Sequence, residues 1–200
     1  MTEHGPTGPS KAPRRAGYPV EGVLFDLGDT LLDEGRAFRD PEPLVPGVRG
    51  TLPRLASRYR LGILTNSVHD RTTLSGHLDA WGIGGFFSAI VSSADLGWEK
   101  PDRVAFEAGW TALGTRPGTT VMVGNNLAVD VAGARRAGLR TIFLRWSPRY
   151  PRVPRGTREE PTLSIDAFEA LPGALERIVG HAPPRAREGP EASGGSNDAV

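Results

Sequence analysis

An apolar run ends in a carboxylate in the stretch Val23-Leu24-Phe25-Asp26-Leu27-Gly28-Asp29-Thr30-Leu31, and a bare glycine separates that carboxylate from a second acid. A carboxylate at a strand end serves as a nucleophile, a metal ligand or a helix cap. A second stretch, Leu61-Gly62-Ile63-Leu64-Thr65-Asn66-Ser67, brings a hydroxyl and an amide to the point where a strand meets a helix start. Exposed amide hydrogens and a hydroxyl there suit a phosphate, and the plainer alternative is a helix cap. The third is Gly97-Trp98-Glu99-Lys100-Pro101-Asp102, an ammonium next to proline ahead of a helix. A solvated lysine is the ordinary explanation. Against it, only Lys11 and Lys100 among the 24 basic residues are lysine, so position 100 departs from a strong preference for arginine. A compact point charge, in place of a planar fork, would explain the departure. In the fourth, Val121-Met122-Val123-Gly124-Asn125-Asn126 leads to Asp130 in the first turn of a helix. Oxygen ligands on such a turn suit magnesium, which takes one or two carboxylates and keeps several waters. The alternative is a capped helix with an acid near its positive end.

The elements that must position these residues are legible as alternating strands and helices. Short runs rich in Val, Ile and Leu predict strands over Val20–Asp26, Leu61–Thr65, Ala89–Ser92, Thr120–Val123 and Thr141–Leu144. Val48, Leu52, Leu55 and Tyr59 recur at helical spacing, as do Leu74, Leu78 and Trp81, and Phe106, Trp110 and Leu113. Gly82 and Gly114 stand where two of these helices should stop. A last helix is predicted over Asp166–Val179. Alternation of this kind implies an α/β fold, a Rossmann-like three-layer sandwich with a central parallel sheet. Ligands of such sheets bind beyond the carboxyl ends of the strands, where all four stretches fall.

At 200 residues with 38% apolar and 24% charged residues, the chain suits one domain with polar tails. Residues 1–17 and 181–200 are expected to be disordered, with the domain over 18–180. A net charge of +1 favours neither nucleic acid nor an anionic membrane as a partner. No apolar run approaches the ~18 residues of a membrane helix, and the N-terminus lacks the apolar segment of a secretory signal. The absence of cysteine excludes disulfides and thiolate chemistry and accords with a cytoplasmic location. His4, His69, His77 and His181 have no metal-ligand spacing; only His69 is near enough to Thr65 to line a site edge. The run from Arg145 to Arg155 interleaves arginines with aromatics and prolines and reads as an exposed connector.

In this order, each at a strand end, the four stretches resemble the haloacid dehalogenase-like (HAD) hydrolase superfamily across about residues 20–180. The resemblance extends to Val45-Pro46-Gly47-Val48, Trp98-Glu99-Lys100-Pro101 and Gly133-Ala134-Arg135-Arg136-Ala137-Gly138. It implies a magnesium-dependent phosphatase that forms an aspartyl-phosphate on Asp26. It further implies that Thr65 and the amide of Asn66 hold the phosphoryl oxygens, and that Lys100 neutralises Asp26 and the transferring group. By the same resemblance, Mg2+ is held by Asp26, the carbonyl of Gly28, Asn125 and Asp130.

Two positions depart from the family pattern. The family's phosphatases carry a proton-transferring aspartate where Gly28 stands and an acid where Asn125 stands. Loss of the first removes acid–base help of about 10²–10⁴ in rate. Asp29 is adjacent and should point elsewhere. Asp33 and Glu34, just downstream, are near enough in sequence to swing over the site. Many relatives also carry a cap domain. Only Leu31–Pro46 and Ser92–Glu99 are available for one here, too little for a second domain. An uncapped site suits a phosphorylated substrate that is bulky, or a partner protein that completes the pocket. A degenerate domain that binds a phosphorylated ligand or a partner without turnover is the alternative. A metal-free haloacid dehalogenase is disfavoured, because halide abstraction needs a dry, closed pocket.

Overall fold

The computed structural model describes residues 17–36 and 40–186. The expected disordered segments therefore fall largely outside the described residues. Of the C-terminal one, residues 181–186 are described, and Ala186 comes close to Gly138.

Six parallel strands form one sheet: β1 (Gly22–Phe25), β2 (Arg60–Thr65), β3 (Ala89–Ser92), β4 (Thr120–Gly124), β5 (Arg140–Leu144) and β6 (Leu163–Ile165), in the order β3-β2-β1-β4-β5-β6. The chain steps one way from β1 through β2 to β3 and the other way from β4 to β6, so the direction of winding reverses between β1 and β4. That reversal leaves a crevice beyond the carboxyl ends of these two strands.

The helices are α1 (Val48–Ala56), α2 (Arg71–Ala80), α3 (Ser93–Leu96), α4 (Arg103–Ala112), α5 (Ala132–Arg136) and α6 (Leu171–Ile178). Because strand side chains alternate, Val23 and Phe25 face one side of the sheet and Leu24 the other. The first side packs with Leu52, Leu55, Leu78, Phe168 and Leu175 from α1, α2 and the α6 region. The second packs with Phe106 and Trp110 of α4 and Ala134 of α5. The result is the three-layer α/β sandwich that the alternation implied. Each of β1's four residues is buried, so the strand carries no polar side chain until it leaves the sheet at Asp26.

The predicted strands match to within two residues. β6 is absent from the sequence reading, since three residues are too few to set up a period. The last helix is shorter than predicted: Asp166 and Ala167 precede a 3₁₀ turn at Phe168–Ala170, and Pro172 in the first turn of α6 marks the helix start. Trp81 lies just past α2, against the ring of His77. Gly82 and Gly114 take φ of 68° and 64°, the left-handed conformation that ends a helix. Among the described residues no helix is long and apolar enough to cross a membrane. The β1–α1 connection and the short α3 are all that stand, among the described residues, where a cap would be inserted.

Candidate active site

Asp26 follows β1, and its N–H donates to the carbonyl of Val123 on β4, which fixes it at the crevice. Thr65 ends β2 and is buried. Lys100 follows α3, and its ammonium is 2.7 Å from Asp26 Oδ1 and 2.7 Å from Asp130 Oδ1. Asn66 grips the backbone of Lys100 at both ends: its Oδ1 accepts from Lys100 N at 2.8 Å and its Nδ2 donates to Lys100 O at 2.7 Å. Asp130 lies in a single π-helical turn, Leu127–Val131, that leads into α5. Its second oxygen accepts from the N–H of Asn126 at 3.0 Å. Gly124 makes room for it, since a Cβ there would stand 2.4 Å from Asp130 Oδ2.

The result is a buried ion triad with one cation between two carboxylates. Burial raises the pKa of Asp26; the Lys100 ammonium pulls it down and the Asp130 carboxylate pushes it up again, leaving it at about 6. Burial also works against the charge on Lys100, but Asp130 and Asp26 more than reverse that and raise its pKa above the ordinary lysine value. Lys100 is thus a fixed cation, and Asp26 is a carboxylate whose ionisation lies near neutrality.

All seven site residues named from the sequence, Asp26, Gly28, Thr65, Asn66, Lys100, Asn125 and Asp130, line one cavity of about 220 Å3. Glu34, Asn126, Val129 and Tyr150 complete its lining. It is not the largest hollow. A groove of about 880 Å3 runs between α2, β3 and α4, but it lies away from the triad.

The capping alternatives fare differently. Neither Thr65, Asn66 nor Ser67 caps α2; Asp70 does, accepting from Thr73 N at 2.7 Å. Asn126 does cap the turn before α5, accepting from the N–H groups of Ala128 and Val129. His69 is not among the cavity's lining residues; its ring packs edge-on against His77 at 5.7 Å.

Asp29 is committed elsewhere. It has φ of 52°, an uncommon conformation for a residue other than glycine. Its Oδ1 accepts from the N–H of Glu34, its Oδ2 accepts from Ser147 Oγ at 2.9 Å and pairs with Arg149, and its carbonyl accepts from Trp146 Nε1. These bonds fasten the β5–β6 connection to the loop after β1. The run from Arg145 onward, read from sequence as a connector, is therefore pinned to the loop after β1 and supplies Tyr150 to the cavity wall. The signal was present in its interleaved aromatics and arginines. Val68, Trp98 and Val153 are exposed, each on a connection that follows a strand's carboxyl end, and none of them lines the cavity.

The donors here fit a hard divalent cation. Asp26, Asp130, the Asn125 amide and the Gly28 carbonyl offer oxygen, as magnesium requires. Asn125 is buried, and its Nδ2 has no hydrogen-bond partner among the described residues. A buried amide seldom goes unpaired without a missing partner to explain it. Because the two ends of an amide exchange by a half-turn, the same side chain can face a cation with its oxygen.

The family model of haloacid dehalogenase-like hydrolases matches residues 39–144. Mouse N-acylneuraminate-9-phosphatase is 33% identical over 68% of this chain and 53% of its own length. Phosphoserine phosphatase of Thermus thermophilus is 34% identical over 70% of this chain and 51% of its own. The chain thus spans about half the length of the curated relatives it matches. The HAD-hydrolase YfnB from Bacillus subtilis, solved bound to magnesium, superposes with a TM-score of 0.66 over 78% of this chain and 99% of that one, at 20% identity. With a parallel sheet of this order and a matched stretch covering α1 through β5, the chain belongs to the haloacid dehalogenase-like hydrolase family.

Proposed function

We propose that the protein is a phosphatase that hydrolyses phosphate monoesters through a phosphoryl-enzyme on Asp26. The observation that carries this reading is the triad itself. Lys100 holds Oδ1 of Asp26, and Oδ2, which receives a long contact of 3.3 Å from Thr30 Oγ1, is the oxygen that attacks. In the first step Asp26 Oδ2 bonds to phosphorus as the bond from phosphorus to the ester oxygen breaks. Lys100, already desolvated, offsets the charge on the transferring group without having to move. Thr65 and the backbone N–H of Asn66 hold phosphoryl oxygens; the side chain of Asn66 is taken up in fixing Lys100. In the second step water attacks phosphorus, the bond to Asp26 breaks, and phosphate leaves.

Magnesium is the proposed cofactor, held by Asp26, Asn125, Asp130 and the Gly28 carbonyl, and it supplies charge neutralisation to the phosphoryl oxygens. The mouse and Thermus thermophilus relatives named above are phosphatases, which supports a phosphorylated substrate. A cavity with no cap among the described residues suits a large one.

The test is phosphate release from p-nitrophenyl phosphate and a panel of phosphorylated metabolites, with magnesium, with chelator, and with Asp26→Asn in parallel. Activity is expected to need both magnesium and Asp26, with Asp26→Asn reducing it at least ~10³-fold. Full activity in Asp26→Asn would defeat the reading. The neutral Asn125 favours a second reading, a domain that binds phosphate without turnover. A folded protein that binds phosphate but hydrolyses nothing in the panel would establish that one instead.

A further inference from the structure

An unactivated alkoxide leaves phosphorus only if a proton reaches it, so the cavity needs a group that can give and take one. Five titratable side chains line it: Asp26, Glu34, Lys100, Asp130 and Tyr150. Three of them make up the buried triad, where each carboxylate is already bonded to the ammonium. Burial, followed by the charges of Glu34, Asp26, Asp29 and Asp130, raises the pKa of the Tyr150 phenol above its ordinary value, which makes it a poor proton acceptor from water near neutrality. That leaves Glu34.

Where Glu34 stands follows from what position 28 lacks. A Cβ built on Gly28 would lie 2.1 Å from Glu34 Oε1 and 2.9 Å from its Cδ. The Glu34 carboxyl occupies the volume that a side chain at position 28 would fill, two residues on from the nucleophile. It is held there from two directions. The N–H of Glu34 donates to Asp29 Oδ1 at 3.1 Å, and Arg149 Nη1 donates to Glu34 Oε2 at 2.9 Å. With Oε2 tethered by Arg149, Oε1 is the oxygen presented over Gly28. The left-handed turn at Asp29 and the pinned β5–β6 connection both act to keep that loop in place.

We propose that Glu34 is the catalytic proton donor and acceptor of this site, a carboxyl delivered by the loop after β1, with position 28 kept bare to admit it. This rests on the phosphoryl-enzyme reading above. In the first step the Asp26–phosphorus bond forms, the ester bond breaks, and Glu34 Oε1 gives its proton to the departing ester oxygen. In the second, Glu34 takes a proton from water as the water oxygen bonds to phosphorus. The Asp26–phosphorus bond then breaks with its electron pair returning to the carboxylate, and phosphate departs, leaving on Glu34 the proton that the next ester oxygen takes.

The test is Glu34→Gln in the full chain with magnesium, since the amide keeps the shape and the bond to Arg149 but cannot exchange the proton. On p-nitrophenyl phosphate, whose phenolate leaves without protonation, the variant is expected to release about one nitrophenolate per enzyme in a burst. It should then turn over roughly 10²–10⁴-fold more slowly than the unsubstituted protein, because only the water step is impaired. Acid quenching should recover phosphate bound to the protein. On glycerol 3-phosphate the burst should vanish, because the first step now fails as well. Turnover reduced less than about threefold on both substrates, an equal loss on both without protein-bound phosphate, or a gain on both would each overturn the assignment while leaving Asp26 as nucleophile. Activity that survives Asp26→Asn would instead bring down the phosphoryl-enzyme reading and this one with it.

Discussion

Asp26 is held in its ionised form at some expense to the fold. Its carboxyl keeps its proton up to about pH 6 in the native state against 3.8 ordinarily, a difference on the order of 3 kcal/mol. The sign follows from which state ionises first. Below the lower value both states are protonated and the contribution is complete. As pH rises toward 6 the unfolded chain releases its proton while the native one keeps it, so stability falls. In chelator, wild type should therefore lose stability relative to Asp26→Asn between about pH 4 and 6, as read by urea denaturation at stepped pH; parallel curves for the two proteins would contradict it. Lys100→Met should do the reverse. It strands Asp26 and Asp130 beside each other in a buried site and should cost about 3–5 kcal/mol in the same assay at neutral pH. Both residues were legible in the sequence, Asp26 as the acid that ends an apolar run and Lys100 as the exception among arginines. Glu34 was visible only as a candidate. Its loop has no period, and nothing in the order of residues says that its carboxyl bends back over Gly28.

Asp26, Thr65, Asn66 and Asn125 sit within a residue or two of a strand end, and Lys100 and Asp130 reach the same crevice from the segment after α3 and the turn before α5. Short apolar runs located β1 to β5, and helical spacing located α1, α2, α4 and the α6 region that pack on them. What the period could not supply was the contribution of the irregular connections. Tyr150, Trp146 and Ser147 act through single hydrogen bonds and one ring, made by a segment with no repeating apolar pattern to read. Where backbone and side chain approach most closely, substitution should be felt in both stability and rate. A methyl group on Gly124 would collide with Asp130 Oδ2, so Gly124→Ala should push Asp130 off Lys100. The expected loss is about 1–3 kcal/mol in thermal or urea unfolding, with reduced phosphatase activity. Unchanged stability would mean that the turn before α5 relaxes freely, contrary to the tight packing described.

Taken whole, the molecule keeps its chemistry at one end of the sheet and its fastening at the other. Arg140 opens β5 and is fully buried without a carboxylate; its guanidinium donates to the carbonyls of Tyr18, Pro19, Gly118 and Ile178. It thereby ties the chain ahead of β1, the turn before β4 and the end of α6 to one point. Arg140→Leu takes a donor from all four carbonyls, of which only that of Ile178 keeps a described partner, the N–H of His181, and should lower stability by roughly 3 kcal/mol or more, while kcat at a temperature where the variant stays folded is retained. A parallel loss of kcat would show that the two ends are coupled. At the opposite end, among the described residues, neither the β1–α1 connection nor α3 extends into a roof over the cavity. An enzyme whose site must unlatch before product escapes is paced by that opening, and a more viscous solvent slows it. Among the described residues no such latch closes the crevice. On the phosphatase reading, phosphate once cut free would diffuse directly out of the crevice, so each cycle should run at the speed of bond breaking, and added sucrose or glycerol should leave kcat where it was.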